Sequence, residues 1–311
     1  MSRARPGQDG IALMLVLWVL ALLTIIAVGL TAAQRTESAL ASNQLATARF
    51  HAAAEAGIAW AALNLSAPRT LFEEDVDPWI PDGSVRVWTF AGEDLEIRVI
   101  NEASLIDLNR ASRGLLESLL AAVGVGEDQA SALADAIEDW RDPDDLTQLN
   151  GAEDGDYEDA GRSYGAKDGR FDSVEELQLV LGVDQDLYRT LVPALTVDSG
   201  RSNPDPEFAP PLVQAALQGI SLEEAKLEQE ELDRLAESGN SDIGTIGRGG
   251  PLYRIRVTRL SDGEAGRSME ALVRVGARIS DSFSILWRRF GMISDGTQVA
   301  AGEAAEGTES F

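Results

Sequence analysis

From Ile11 to Gln34 the chain reads Ile11-Ala-Leu-Met-Leu-Val-Leu-Trp-Val-Leu-Ala-Leu-Leu-Thr-Ile-Ile-Ala-Val-Gly-Leu-Thr-Ala-Ala-Gln34, without one charged side chain. About 20 apolar residues rising about 1.5 Å each match a hydrocarbon layer of about 30 Å, so this run predicts a membrane-spanning helix. No proline follows from Thr31 to Ala67, and Ala, Leu, Glu, Gln and Arg dominate there. These are strong helix formers, so one helix of roughly 80 Å is expected to run from Ile11 to about Leu65 and stop before Pro68. Arg3 and Arg5 precede the run, which predicts a cytoplasmic head and an exported bulk; Arg35 beyond it lessens that bias. A cleaved secretory signal has a shorter apolar stretch and a small-residue cleavage site, so it fits less well.

The junction of a short basic head with the apolar run falls at Gly10-Ile11, and a long Ala-rich helix follows. This arrangement resembles a type IV prepilin leader. The resemblance implies that a prepilin peptidase of the membrane cuts after Gly10 and methylates the new amino terminus at Ile11. Most pilins and pseudopilins carry Glu at the fifth mature position, where it neutralises a neighbour's terminal ammonium inside an apolar filament; here that position is Leu15. The large minor pseudopilins of type II secretion, the general secretion pathway protein K family, lack this Glu. The chain is similar to that family also in length, and in Ile106-Asp-Leu-Asn-Arg-Ala111, Asp139-Trp-Arg-Asp-Pro-Asp-Asp145, Asn150-Gly-Ala-Glu-Asp154 and Phe171-Asp-Ser-Val-Glu-Glu-Leu177. The resemblance implies an inner-membrane, single-pass, non-enzymatic subunit with its bulk in the periplasm. It would sit at a filament tip beside other minor pseudopilins, and exoprotein cargo and the outer-membrane channel are further candidate partners.

Composition bears on partners independently. With 26 Lys+Arg against 52 Asp+Glu the net charge is −26, which opposes phosphate backbones and argues against nucleic acid. There is no Cys, hence neither disulfide nor thiol chemistry, and His51 is the single His, which excludes multi-histidine zinc sites. Trp60, Trp79, Trp88, Trp140 and Trp287 read as core or interface anchors.

Beyond the first helix the fold class is α+β: a type IV pilin-like long helix plus an antiparallel sheet, with a large inserted all-α domain. Val85, Val87 and Thr89, then a turn at Gly92-Glu93-Asp94, then Leu95, Ile97 and Val99, predict a hairpin. Tyr253, Ile255 and Val257, the turn Ser261-Asp262-Gly263, and Ala271, Val273 and Val275 predict a second, with a short strand at Phe283–Trp287. Residues 1–10 are then a leader, 11–34 and 35–67 the two halves of the helix, and 68–106 the first part of a β domain. Residues 107–248 are the inserted helical domain, 249–290 the second β part and 291–311 a disordered tail. Glycine turns at Ala122–Ala130 and Leu179–Asp184 resemble helix-hairpin-helix modules. Residues 101–200, however, hold 7 basic and 23 acidic side chains, which favours plain connectors over a phosphate site. Asn109–Leu120 and Asn203–Leu217 look like duplicated helical units, with Asn203–Pro211 an extended linker. Leu222–Ala236 reads as a charged helix and Ser238–Gly250 as a flexible return.

A helix from Glu127 to Trp140 must end before Pro143, and Asp139, Asp142, Asp144, Asp145, Glu153, Asp154 and Asp156 then crowd around Gly151 and Gly155. Calcium takes six to eight oxygens in adaptable geometry, so such a loop suits it, although the spacing is not that of an EF-hand. The alternative is a solvated acidic loop. The family resemblance implies that this domain binds calcium, with Asp142, Asp144, Asp145, Glu153 and Asp154 as candidate ligands. Two other readings compete: a DNA-uptake or adhesive pilus tip, which needs a basic or aromatic patch, and an anchored hydrolase using paired carboxylates, which needs two acids held apart in a cleft.

Overall fold

The computed structural model describes residues 9–66, 79–237, 249–260, 267–276 and 283–292. Most of the leader, the turn Ser261–Gly263, most of the return after Glu237 and the tail from residue 293 lie outside the described residues. Two compact units divide the chain, Met1–Ala52 and Ala53–Phe311. The first consists of helix α1, Asp9–Ser66, up to Ala52. Within it Leu13–Thr31 carries no charge and none of it is buried. Thr24 and Thr31 turn their hydroxyls onto the carbonyls of Leu20 and Ala27, 2.8 Å away in each case. Their polar atoms are thereby satisfied inside the helix, which the interior of a bilayer requires.

The second unit holds the end of α1, one five-stranded antiparallel sheet and a helical region. The strands are β1 (Asp82–Phe90), β2 (Glu93–Asn101), β5 (Leu252–Arg259), β6 (Arg267–Val275) and β7 (Phe283–Met292), in the spatial order β1-β2-β5-β6-β7. The two hairpins thus form one sheet although about 150 residues separate β2 from β5: Ile97 lies opposite Val257 and Val99 opposite Ile255. Alternation explains the sheet's two faces. Leu95, Ile97, Val99, Tyr253, Ile255 and Val257 are buried on one of them. There α1 presents Ala54, Ile58, Ala61 and Leu65 at helical spacing. Gly57 lets the helix come close, since a Cβ on it would meet Ile97 and Val257 at 3.3 Å.

Three sequence expectations are adjusted. The first hairpin turns at Ala91-Gly92, both with positive φ (51° and 82°), so Glu93 and Asp94 already belong to β2. The last strand runs on to Met292 instead of ending at Trp287, so the first two residues assigned to the tail are paired to β6. The segment Asn203–Pro211 is no free linker: it forms a 3₁₀ turn at Pro206–Phe208, buries Phe208, and hydrogen-bonds Asp205 N to Ala103 O at 2.8 Å.

The helical region starts and returns through a two-residue parallel ladder, β3 (Ile106–Asp107) with β4 (Leu195–Thr196). Between these lie α2 (Arg113–Ala122), α3 (Glu127–Arg141), α4 (Asp154–Asp159) and α5 (Gln185–Leu191). After β4 come α6 (Pro211–Gln218), which packs on α2, and α7 (Leu222–Glu237). Leu116, Leu119, Leu133, Ile137, Leu177 and Val213 belong to the shared core. The first glycine turn does join two helices, α2 and α3, with Gly124 at φ +86°. The second joins a 3₁₀ turn, Val174–Leu179, to α5 through Gly182 at φ +90°.

Candidate functional site

The acidic loop is built outward from α3. Gly126 caps that helix, Glu127 and Asp128 sit in its first turn where its dipole favours negative charge, and Arg141 sits in its last. Pro143 forbids helical geometry at Asp142, which is extended (ψ 161°), and the helix stops at Arg141. Asp135 and Asp139 lie one turn apart on the inner face, 2% and 0% exposed. Each works as an anchor for the loop. The Asp139 carboxylate accepts the amides of Gln148 (3.1 Å) and Ala152 (2.8 Å), and Asp135 accepts that of Asn150 (3.1 Å). Gly151 is required between them because a side chain there would run into the Asp139 carboxylate. Arg113 Nε donates to Asp135 and, with the backbone and side-chain amides of Asn150, holds its carboxyl below the usual range.

The motifs that single out this region in sequence touch one another. Asn109 clasps the backbone of Phe171 twice, its Nδ2 donating to the carbonyl (3.0 Å) and its Oδ1 accepting the amide (2.8 Å). Arg141 donates to the carbonyls of Leu108 (2.5 Å) and Ala111 (2.8 Å). Asp107 accepts the amides of Asn109 (2.8 Å) and Gly200 (2.6 Å). Beneath the loop Trp140 packs on Tyr157 and Phe171 with ring centroids 6.0 and 6.2 Å apart. These residues hold the loop's frame; they do not present chemistry to solvent.

On that frame the candidate ligands are brought together unevenly. Glu153 is 7% exposed, and burial, then the charges of Asp139, Asp168, Asp142 and Asp145, push its carboxyl up to about 7. Asp142 is also raised, first by burial and then by Asp144 and Asp168. Asp168 is raised by burial and by Asp145 and Asp154. Two buried carboxylate oxygens, Asp142 Oδ1 and Glu153 Oε1, have no hydrogen-bond partner. Asp154 lies against the backbone of Gly165, where a Cβ would collide with its carboxylate. Asp144 is engaged locally, accepting the Leu146 amide at 3.1 Å.

Two contributors were not among the candidate ligands chosen from sequence. Asp139 is the loop's anchor, a role visible only once the amides of residues 148 and 152 fold back on it. Asp168 arrives from a separate turn at φ +52°; the Asp168-Gly169 pair was its only local signal. Among the described residues no three acids or histidines stand close enough to grip one ion as they are. The donors nevertheless fit a hard divalent cation in kind: all are oxygens, they repel one another, and two carry buried orphan atoms.

Comparison with known proteins agrees with this architecture. A family model described as type II secretion system (T2SS), protein K matches residues 98–199. The chain is 32% identical over 248 residues to type II secretion system protein K of Pectobacterium carotovorum subsp. carotovorum, covering 71% of this chain and 74% of that one. It is 31% identical over 206 residues to the protein of that name from Pseudomonas aeruginosa, covering 61% and 62%. A solved structure of the GspK-GspI-GspJ complex from the enterotoxigenic Escherichia coli type 2 secretion system contains a chain of like fold. The TM-score is 0.57 at 20% identity, over 83% of this chain and 99% of that one. Apolar anchor helix, interrupted sheet and stapled helical domain therefore belong together: the chain is a member of the type II secretion system protein K family, a minor pseudopilin.

Proposed function

We propose that this subunit caps the tip of a periplasmic pseudopilus and starts its assembly, so that the filament can drive folded proteins through an outer-membrane channel. In this reading prepilin peptidase cuts after Gly10 in the inner membrane and methylates Ile11. The observation that carries it is the span Leu13–Thr31, exposed along its whole length, with Leu15 where a filament subunit below another would need an acid. Such a helix leaves lipid at little cost if other apolar helices replace the acyl chains, and a subunit with nothing above it has no ammonium to neutralise. The solved GspK-GspI-GspJ complex supports two further minor pseudopilins as partners here.

Calcium belongs to the same proposal. Asp142, Asp145 and Glu153 would hold it once the loop draws them closer than they now stand, with Asp144, Asp154 and Asp168 around them, and its charge would relieve their mutual repulsion. Binding and local folding are then linked.

The test is intact-mass analysis of the protein from its native membrane, with co-purification of the other minor pseudopilins. A chain starting at monomethylated Ile11 and eluting with them is expected. Retention of residues 1–10, or a subunit that never co-elutes, overturns the proposal.

A further inference from the structure

The last helix, α7, has two unlike halves. Its start is anchored: Ala225 is buried in the core of the helical region, Leu222 packs against that core, and α6 lies alongside. Beyond Lys226 every described residue of α7 is exposed, among them Leu227, Leu232 and Leu235 at 62%, 59% and 52%. Helix formation alone does not call for leucine at these positions, since Lys, Glu, Gln and Arg have similar propensity.

The placement of charge narrows what can cover this half. At about 100° per residue the three leucines fall within about 140° of arc, and Glu228 and Glu231 fall between them. Glu230 adds a third exposed acid. Arg234 is the only cation among the described residues of this half, and its Nε donates to the Glu230 carbonyl at 3.1 Å. Lys226, just before it, is paired with Glu223 at 2.9 Å. Leucines and carboxylates therefore share one face whose charge is negative.

We propose that the exposed half of α7 docks a basic amphipathic segment of a partner protein, whose apolar residues seat the leucines while Lys or Arg meets Glu228 and Glu231. Because acids and leucines are interleaved, the occupant must bring apolar and cationic groups on one surface. A second copy of this chain, at net charge −26, would set acids against acids, and anionic lipid and nucleic acid are repelled likewise. The inference goes beyond the tip assignment and holds whatever place the subunit takes in a filament.

The test uses the full chain in zwitterionic lipid nanodiscs, with empty nanodiscs subtracted, and three fluorescein-labelled peptides. The first has leucine at helical spacing with lysine between, the second the same leucines with glutamine, and the third the same lysines with serine for leucine. The Leu-Lys peptide should bind at least about tenfold more tightly than either other. Leu227→Gln with Leu232→Gln should weaken it about tenfold at unchanged melting temperature, and so should Glu228→Gln with Glu231→Gln. Removing two charges elsewhere, Glu127→Gln with Asp128→Asn in α3, should change it by less than about twofold. If the leucine variant unfolds, the Glu228 and Glu231 variant decides. Equal binding of the Lys-Ser peptide, an equal loss from the α3 variant, or undiminished binding by the decisive α7 variant overturns the inference. So does self-association in analytical ultracentrifugation that the leucine variant abolishes, which would assign the face to a second copy. Amide exchange across residues 227–235 that is already slow without peptide would overturn it too, because the chain itself would then cover the helix.

Discussion

Glu153 is the residue whose titration should be felt by the whole helical domain. Its carboxyl moves from 4.5 in the unfolded chain to about 7 in the fold, first through burial and then through its acidic neighbours. Below pH 4.5 both states hold the proton and nothing is lost. Between 4.5 and 7 the folded state keeps a proton the unfolded state has released, so stability falls as pH rises; the full loss, on the order of 3 kcal/mol, is in place above 7. Metal-free protein is therefore expected to melt at a lower temperature at pH 8 than at pH 5. Calcium should flatten that slope, chelator should restore it, and Glu153→Gln should remove it; scanning calorimetry across pH checks all three. A melting curve indifferent to chelator would end the calcium proposal. Asn109→Ala should cost about 1–3 kcal/mol in urea unfolding, because it strands both backbone groups of the buried Phe171. Residues of this second kind were only half legible. The motif around Asn109 was visible as a string of letters, but its partner lies 62 positions away, and no local pattern announces that pairing.

At the scale of elements, close approach decides the outcome. At Gly57 of α1 a methyl group would stand 3.3 Å from Ile97 and Val257, a tight fit that also brings better helix propensity. Gly57→Ala should change stability by no more than about 1 kcal/mol, whereas Gly57→Leu must push helix and sheet apart and cost about 1–3 kcal/mol or more. Denaturant midpoints of the two variants distinguish tight packing from a merely flexible glycine. The buried pair Glu102–Arg254 ties β5 to the 3₁₀ turn after β2, and Glu102 also accepts the Thr196 hydroxyl of β4. Glu102→Gln leaves Arg254 without its counter-charge inside the protein, so a loss of about 3–5 kcal/mol is expected by the same measurement. Period and punctuation made α1, α3 and both hairpins readable in advance. What escaped was set by distant contacts. A 3₁₀ turn within Asn203–Pro211 depends on Ala103 and on a pocket for Phe208, and β7 outruns its apolar letters because β6 offers it partners as far as Met292. Ala91 at positive φ breaks the rule that places glycine or asparagine there, which moved the expected turn by a residue.

For the molecule as a whole, none of the Leu13–Thr31 span is buried, so removing it should leave the second unit folded. A chain lacking residues 1–31 is expected to be soluble, to keep its far-ultraviolet dichroism and melting temperature, and to lose membrane attachment; a drop in melting temperature would mean that the span supports the fold. The ladder of Ile106–Asp107 with Leu195–Thr196 suggests how such a subunit acquired its bulk. Its two short rungs bring the path of the chain back to where it departed, and the stretch they enclose nearly coincides with the part matched by the family model, residues 98–199. A stretch whose two ends stand side by side can change in length while the sheet keeps its register, provided it keeps the face on which α2 meets α6. What the helical region carries is thus free to change while the strands beside it stay as they are.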